Sequence, residues 1–413
     1  MSADAAALGG RRGSGTAKVA LTAYEARIPM ARGFRHAGKN RAETASVLVA
    51  AEWGAVTGWG EAAPREYVTG ESPDSVRAAL ERGVPASVAD WIGAPLPDAL
   101  AGLLALDLPT FLGEPGRPAP AAAAAVETAL FDLVCRSAGV PGLRALHTAG
   151  FGDLLADRAA PVPVATVLDL GRDPAERLAA LPAAVRAAIP HVKLKAGPDV
   201  APVAGQVARV RDLVPDATVS VDANGSWDAG EVLAHAERLR SAGPAWLEEP
   251  LAPRSWADMA RLRGAGLRVM LDESFSGAAD LADCLTHGAA DLLNLRVSKC
   301  GGPLRLLTLA RAARAAGLGV QLGVQVGEVG PLWAAGRLIG TALREPVAVE
   351  AGRQDEWFPA RPAFTAPGYQ VDRAASRAPA LTGPGIGLRP TWALLERCVP
   401  CRPPRQEAGQ EDQ

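Results

Sequence analysis

Short apolar runs recur between residues 161 and 350, and stretches rich in Ala, Leu and Arg separate most of them. Near-continuous apolar runs are typical of parallel strands covered on both faces. The intervening stretches, such as residues 174–188 and 230–242, predict helices. Eight such runs in roughly 200 residues favour a closed α/β barrel over an open doubly wound sheet. The runs are VPVATVL, HVKLKA, TVSVDA, AWLEEP, RVMLDE, LLNLRV, GVQLGV and VAVEA.

The region before the barrel has strands first and helices afterwards. The segments VALTAYEARIP, ASVLVAAEW and VTGWGEA predict strands, and a Gly-Ala pair at 54–55 joins the last two as a hairpin or meander. Residues 30–41 predict a polar loop long enough to act as a lid. Ser-Pro-Asp at 72–74 predicts a helix start, and residues 121–138 predict a long helix. This order predicts an α+β domain.

Five charged residues follow the apolar runs at intervals of roughly 25 residues, about the length of a strand, a helix and two loops. They are Lys195, Asp222, Glu248, Asp272 and Lys299. The carboxyl ends of barrel strands meet at one rim, so we expect these side chains to converge. Three carboxylates suit a hard cation such as Mg²⁺, and flanking lysines suit proton transfer. The pattern therefore predicts a catalytic constellation.

Lys193 is a third candidate catalytic lysine. Side chains two residues apart on a strand point the same way, so Lys193 would lie beside Lys195. A base must be neutral to accept a proton, and free lysine has a pKa of about 10.4. Lys195 therefore needs burial or a cationic neighbour to lower its pKa. We expect Lys193 to tune that pKa or to contact substrate, rather than to transfer protons itself.

These residues lie in motifs that resemble the enolase superfamily, within it the branch of muconate-lactonizing enzymes and dipeptide epimerases. The motifs are Lys-Leu-Lys at 193–195, Asp-Ala-Asn at 222–224, Glu-Glu-Pro at 248–250, Asp-Glu-Ser at 272–274 and Lys-Cys-Gly-Gly at 299–302. Residues 125–146 also resemble the family's ALWD…GxP segment. The resemblance covers residues 18–395, with all five motifs in order.

The resemblance implies an α/β protein with a modified (β/α)7β TIM-type barrel and an N-terminal α+β capping domain completed by C-terminal residues. The expected division is a disordered N-terminus at 1–16, the cap at 17–150, the barrel at 160–355, a segment at 356–402 that packs back on the cap, and a disordered tail at 403–413.

By matching position, the resemblance implies that Asp222, Glu248 and Asp272 bind Mg²⁺, with Mn²⁺ as an alternative. Lys195 and Lys299 would be acid and base catalysts on opposite faces of the substrate. The implied chemistry removes the proton α to a carboxylate and gives an enediolate held by the metal. A divalent ion stabilises the charge that develops on those oxygens.

Three further polar residues follow the strands. Asn224 is expected either to orient Asp222 or to form a turn. Glu249 is expected to support the neighbouring ligands. Glu273 is expected either to accept a hydrogen bond from Lys299 or to cap the next helix.

Substrate specificity is expected from the cap loops and the last two strand ends. The candidates are Phe34, Arg35, Tyr67, Gln325, Glu328 and Glu350. Dipeptide epimerases of this branch carry a DxD motif at the eighth strand end, whereas this chain has Glu-Ala-Gly at 350–352, which argues against an ordinary dipeptide substrate. No histidine follows the seventh run, where the mandelate-racemase branch places its base.

Three functions agree with these residues. The first is a Mg²⁺-dependent isomerase that epimerises, racemises or cycloisomerises a small carboxylate. The second is a lyase, a syn-dehydratase similar to o-succinylbenzoate synthase, that uses the same enediolate. The third is a catalytically inactive barrel kept as a binding module.

Composition and charge restrict the kinds of partner and the cellular compartment that are expected. The chain has 413 residues, 48% hydrophobic and 21% charged, with a net charge of −2. The sequence has no cluster of basic residues of the kind that binds nucleic acid or a membrane surface, so neither partner is expected. Five scattered cysteines and the lack of a targeting segment favour the reducing cytoplasm, and the Cys398–Cys401 pair is expected to be incidental. The expected partner is a small-molecule carboxylate, and apolar outer helices are compatible with a homo-oligomer.

Overall fold

The computed structural model describes residues 18–36, 39–352, 354–359, 362–391 and 399–400. Only the backbone is described for residues 32, 34–36, 39–41, 354 and 399–400. The disorder expected at 1–16 and 403–413, and the Cys398–Cys401 pair, lie outside the described residues. Within the described ranges no helix is long and apolar enough to cross a lipid bilayer.

The N-terminal region begins with antiparallel strands. They are β1 (Ala20–Ala26), β2 (Pro29–His36), β3 (Lys39–Glu43), β4 (Ser46–Trp53) and β5 (Val56–Ala62). β4 lies between β1 and β5 in one sheet. β2 and β3 pair with each other in a separate sheet, so residues 30–36 and 39–41 are strands and the predicted polar loop is wrong there. Pairing satisfies the backbone groups of this polar segment, which its composition did not indicate.

Seven helices follow this sheet in the described chain. They are α1 (Glu66–Thr69), α2 (Pro73–Leu80), α3 (Val88–Trp91), α4 (Leu96–Leu104), α5 (Leu108–Leu112), α6 (Pro120–Ser137) and α7 (Gly142–Thr148). α2 starts as predicted, because the Ser72 hydroxyl accepts a hydrogen bond from the Ser75 N–H at 3.1 Å. The Ser75 hydroxyl accepts one from the Ser72 N–H at 2.9 Å, which completes a capping box.

Helix α6 is the centre of the N-terminal region, and its residues from Pro120 to Cys135 are buried. It packs directly on β5 because two strand residues are glycines. A Cβ atom at Gly60 would lie 1.9 Å from the Ala125 carbonyl oxygen, and one at Gly58 would lie 2.2 Å from the Ala129 carbonyl oxygen. The glycines therefore allow the helix backbone to approach the sheet more closely than side chains permit.

The second half of the chain forms an eight-stranded parallel sheet whose strands follow chain order. After β6 (Val162–Pro163) its strands are β7 (Thr166–Leu168), β8 (His191–Lys195), β9 (Thr218–Asp222), β10 (Leu247–Glu248), β11 (Val269–Leu271), β12 (Leu292–Leu295), β13 (Gly319–Leu322) and β14 (Ala348–Val349). The Ala165 N–H donates to the Val349 carbonyl oxygen at 3.1 Å and joins the first strand to the last. The predicted barrel is confirmed.

Helices surround this barrel. They are α8 (Pro174–Ala179), α9 (Ala183–Ala187), α10 (Val203–Leu213), α11 (Ala229–Ala234), α12 (Ala236–Ala242), α13 (Trp256–Gly264), α14 (Ala278–His287), α15 (Val297–Cys300), α16 (Pro303–Ala315), α17 (Pro331–Gly340) and α18 (Gln354–Trp357). Residues 174–188 and 230–242, each expected as one helix, are two helices. The first divides before Pro182, which has no N–H to donate.

The C-terminal residues return to the N-terminal region. Their strands are β15 (Phe364–Thr365), β16 (Arg377–Ala378), β17 (Arg389–Pro390) and β18 (Val399–Pro400). β18 pairs with β1 and extends the N-terminal sheet. The Asp132 carboxylate of α6 accepts a hydrogen bond from the Ile386 N–H at 2.9 Å. The N-terminal region with these returning strands is called the cap below.

Candidate active site

The barrel register places the acidic strand ends on one face. Lys195 lies opposite Asp222, and Asp222 lies opposite Glu248. Glu248 lies opposite Met270, so Asp272, two residues further along, points to the same side. The side chains of Asp222, Glu248 and Asp272 are buried with at most 1% of their surface exposed. Three neighbouring strands therefore bring three buried carboxylates to the same rim.

The two outer lysines come from opposite sides of the barrel. Lys195 ends β8, the second strand, and Lys299 lies on α15 just after β12, the sixth strand. The second and sixth of eight strands are half a circle apart. The three acids lie on the strands between them.

Lys193 lies at the centre of the site. Its ammonium nitrogen is 2.9 Å from Asp222 Oδ2, 2.8 Å from Glu248 Oε1 and 2.9 Å from Glu350 Oε1. Burial favours the neutral amine, but the three carboxylates outweigh it and hold the pKa of Lys193 well above its usual value. Lys193 therefore remains a cation that holds three strand ends together.

Lys195 is held by two acceptors. Its ammonium donates to Asp222 Oδ2 at 2.7 Å and to Asn224 Oδ1 at 2.9 Å. Asn224 has a left-handed φ of 47°, and its N–H donates to Asp222 Oδ1 at 3.0 Å. It both forms the turn and orients Asp222. Burial opposes ionisation of Asp222, but Lys193 and Lys195 outweigh it and keep its pKa well below the usual range.

Arg296, which the sequence analysis did not single out, joins the other half of the site. Its guanidinium pairs with Asp272 and donates to Gln325 Oε1 at 3.1 Å. Lys299 Nζ lies 2.9 Å from Asp272 Oδ1 and also donates to the Asp272 carbonyl oxygen. Burial and the Arg296 charge together lower the pKa of Lys299 to about 8.

Two more polar residues escaped the sequence analysis. Asn294 Nδ2 donates to Glu248 Oε1 at 2.8 Å, and Gln321 Nε2 lies 3.4 Å from Glu248 Oε2. A signal was present, because Arg296 directly follows β12 and lies two residues after Asn294, a spacing that points both side chains to the same side. Polar residues at alternate positions of an otherwise apolar barrel strand indicate a polar interior.

The second acid of each acidic pair contacts the end of a neighbouring strand. Glu249 accepts hydrogen bonds from the N–H groups of Asp272 at 2.7 Å and Ser274 at 3.1 Å, which fastens β10 to the end of β11. Glu273 accepts a hydrogen bond from Asn224 Nδ2 at 3.0 Å rather than from Lys299 or a helix start, so both expectations for it were wrong. Burial raises the pKa of Glu249 and of Glu273 to about 7.

The last two strand ends carry the remaining candidates. Glu350 binds Lys193 and also accepts the Val324 N–H at 2.9 Å. Burial opposes its ionisation, but Lys193 and Arg296 lower the pKa of Glu350 to about 2. Glu328 accepts the Gln325 N–H at 2.6 Å and is only 2% exposed, so it lies beneath this loop.

Of the three candidates in the cap, the structure describes the side chain of Tyr67. Phe34 and Arg35 lie in β2, and their side chains are outside the described part of the structure. Tyr67 lies in helix α1 rather than in the predicted loop, and it lines the cavity at the barrel mouth. Trp357 of α18, a residue without a signal in the sequence, lines the same cavity.

The cavity at the barrel mouth is small, about 40 Å³. Its lining combines cationic, amide, acidic and apolar side chains: Tyr67, Val167, Lys193, Lys195, Asn224, Glu273, Arg296, Val324, Gln325, Val326, Glu350 and Trp357. Binding sites for small molecules usually enclose about 300–1,000 Å³. A substrate must therefore displace some of the side chains that now fill the mouth.

The three acids are suitable ligands for a divalent cation. Three carboxylates on neighbouring strands are the ligand type that Mg²⁺ prefers. Glu273 Oε2 is buried without a hydrogen-bond partner among the described residues, and burial, together with the charges of Glu249 and Asp222, raises its pKa. A carboxylate oxygen without a donor beside the three acids fits an added cation.

The carboxylates nevertheless face the cationic side chains instead of one another. Across the described ranges, no three His, Cys, Asp or Glu side chains gather as a ready metal cluster. Lys193, Lys195, Arg296 and Lys299 hold the carboxylate oxygens. A divalent ion would have to replace some of these ion pairs.

Comparison with known proteins identifies the family. The family model for the enolase C-terminal domain-like fold matches residues 176–394. A hydrophobic dipeptide epimerase of Citrifermentans bemidjiense is 29% identical over 308 residues, 73% of this chain and 79% of that protein. Muconate cycloisomerase 1 of Rhodococcus opacus is 29% identical over 299 residues, 70% of this chain and 75% of that protein.

A solved structure shows the same fold. It is the muconate lactonizing enzyme of Pseudomonas fluorescens complexed with muconolactone, with a TM-score of 0.75 and 23% identity. The likeness covers 92% of this chain and 99% of that one. The chain therefore belongs to the enolase C-terminal domain-like family and is an enzyme of the enolase superfamily, in the branch of muconate-lactonizing enzymes and dipeptide epimerases.

Proposed function

We propose that this enzyme is an isomerase that removes and returns the proton at the carbon α to a carboxylate of a small substrate. The observation that carries the proposal is the placement of Lys195 and Lys299 half a barrel apart, with three buried carboxylates between them. Bases on opposite sides allow proton removal on one face and delivery on the other. The epimerase and cycloisomerase among the relatives support this class and oppose an inactive barrel.

Asp222, Glu248 and Asp272 are the proposed ligands of Mg²⁺, with Mn²⁺ as an alternative. When bound, the ion supplies positive charge opposite the carboxylate oxygens of the substrate, where negative charge develops. Asn224 and Glu249 position the ligands, because Asn224 bonds Asp222 and Glu249 bonds the Asp272 N–H.

The chain's own residues carry the proton steps. Lys195 Nζ takes the α-proton from one face of the substrate, and Lys299 Nζ returns a proton to the other, or the reverse. Proton removal gives an enediolate. Lys193, held as a cation by three carboxylates, offsets the negative charge of the site and transfers no proton.

The cavity lining indicates the substrate class. Lys193, Lys195 and Arg296 present positive charge that suits a carboxylate. Glu350 is engaged by Lys193 and by the Val324 N–H, so it is less able to bind a free ammonium group. The favoured substrate is a small carboxylate without a free ammonium at that end, such as an N-acylated amino acid or a lactone acid, rather than an ordinary dipeptide.

A lyase is the second candidate, and the burial of Lys299 favours it. Lys195 lines the cavity, whereas Lys299 is 1% exposed. In this case Lys195 alone removes the proton, Lys299 only stabilises charge, and the enediolate expels a β-leaving group.

Solvent deuterium exchange tests both functions. N-acylamino acids, dipeptides, sugar acids and muconolactone-like acids are incubated with the enzyme and Mg²⁺ in deuterated water and followed by NMR. Deuterium uptake at the α-carbon with inversion supports the isomerase. Loss of water without epimer formation overturns it in favour of the lyase. The K195A variant is the matched control for background exchange.

A further inference from the structure

We propose that Glu127, on helix α6 of the cap, is a positioning residue that holds Lys299 in place. The inference rests on the proposed role of Lys299 as acid and base catalyst. It adds a connection from the cap to one catalytic lysine, through a buried carboxylate that lies 172 residues earlier in the chain.

Glu127 supplies the missing cap of a barrel helix. Helix α16 begins at Pro303, and its N-cap residue Gly302 has no side chain to accept a backbone hydrogen bond. Glu127 Oε1 accepts from the N–H groups of Leu304 at 2.7 Å and Arg305 at 3.2 Å. A carboxylate at a helix start satisfies free N–H groups and is favoured by the helix dipole. Through Glu127, the N-terminal region thus fixes the start of α16.

The same carboxylate also fits under the turn that follows Lys299. Helix α15 ends at Cys300, and two glycines with φ of 86° and 123° lead into α16. A Cβ atom on Gly302 would lie 2.4 Å from Glu127 Oε1. The Gly302 N–H donates to the Val297 carbonyl oxygen at 3.2 Å, which closes the turn around Lys299. Glu127 therefore packs directly against this turn.

Glu71 offers a matched control. It is also buried, at 6% exposure, and its carboxylate accepts the N–H groups of Ala121 at 2.7 Å and Ala122 at 2.9 Å, at the start of α6. Each glutamate accepts N–H groups at the start of a helix whose own N-cap residue makes no side-chain hydrogen bond. Glu71 does so within the cap, whereas Glu127 does so for a helix of the barrel. Loss of a helix cap should destabilise either variant, whereas only Glu127 contacts the segment that carries Lys299.

The test compares E127A and E127Q with E71A and E71Q in the full-length enzyme. Amide hydrogen exchange is measured by mass spectrometry over residues 297–306, together with kcat, KM and thermal unfolding. E127A should exchange faster over 297–306 and lose roughly tenfold to a hundredfold in kcat with little change in KM, because small misplacements of a catalytic group are costly. E127Q retains an accepting oxygen and should recover most of both losses.

E71A should lose thermal stability while protection at 297–306 and kcat stay within about twofold of the parent enzyme. The inference is overturned if E127A leaves protection at 297–306 unchanged, or if E71A reduces protection and kcat there as much as E127A. The exchange measurement needs no substrate. A second outcome is that the parent enzyme shows no α-proton exchange with any tested substrate while E127A still shows faster amide exchange. That result would contradict the proposed function and leave the link between Glu127 and the Lys299 turn standing.

Discussion

Buried carboxylates occur both at the barrel mouth and at the contact between cap and barrel, and their charges are met differently. At the mouth, Asp222 and Glu350 bind lysine ammonium groups. At the contact, Glu61 accepts the N–H groups of Val329 at 2.8 Å and Gly330 at 3.0 Å, and Glu127 accepts those at the start of α16. Asp222 and Glu350 are thus met by full positive charges, whereas Glu61 and Glu127 are met by backbone N–H dipoles.

The pKa values differ accordingly. Burial opposes ionisation in both regions. Cations outweigh it at the mouth and lower the pKa of Glu350 to about 2, whereas burial prevails at the contact and raises the pKa of Glu127 to about 7. A helix start carries only about half an elementary charge. Lysine ammonium groups therefore keep Asp222 and Glu350 ionised at the mouth, while the contact also accepts neutral carboxyl groups.

The largest expected effect is on catalysis at the mouth. K299A should lower kcat by about 10²–10⁴-fold, because it removes an acid and base catalyst. Magnesium affinity, measured by calorimetry, should stay nearly unchanged, since the proposed ligands remain. K18A, at an exposed lysine, is the control. Equal losses of turnover and of Mg²⁺ affinity would instead make Lys299 a structural residue.

The next effect is on stability. D222N should lower the free energy of unfolding at pH 7 by about 3–5 kcal/mol, because it leaves buried ammonium groups without their counter-charge. Urea unfolding of the metal-free protein measures this change. The control is D153N, which breaks the exposed pair between Asp153 and Arg311 and should cost less than about 1 kcal/mol. Similar losses in the two variants would show that the mouth does not depend on ion pairing.

The smallest effect concerns pH at the contact. The folded pKa of Glu127 lies above its usual value of 4.5, so its contribution to stability is complete below pH 4.5 and declines as pH rises through 7. E127Q cannot ionise and escapes this decline. Relative to the parent protein, E127Q should gain on the order of 2–3 kcal/mol between pH 5 and pH 8.

Urea unfolding at both pH values gives this difference, with E52Q as the exposed control. The control should change by less than about 0.5 kcal/mol. No gain in E127Q would mean that backbone N–H groups alone keep the Glu127 carboxylate fully ionised. An equal gain in E52Q would mean that the effect does not come from the buried carboxylate.

The barrel strands could be predicted because apolar runs and a repeat of about 25 residues are local signals of strand–helix units. The paired strands at residues 30–36 and 39–41 could not, since these polar strands are stabilised by pairing rather than by an apolar pattern. The divided helix at 174–188 shows the same limit. Alanine-rich composition indicated one helix, but Pro182 ends the hydrogen-bonding pattern.

The sequence by itself determined which charged residues reach the rim, because parallel barrel strands must all end on one side. The tertiary structure decided their partners. Arg296 pairs with Asp272, Lys193 joins Glu350 from the far end of the barrel, and Glu127 reaches α16 across the cap contact. These pairs join residues more than 20 positions apart, and their geometry follows from how whole elements pack, which no local pattern records.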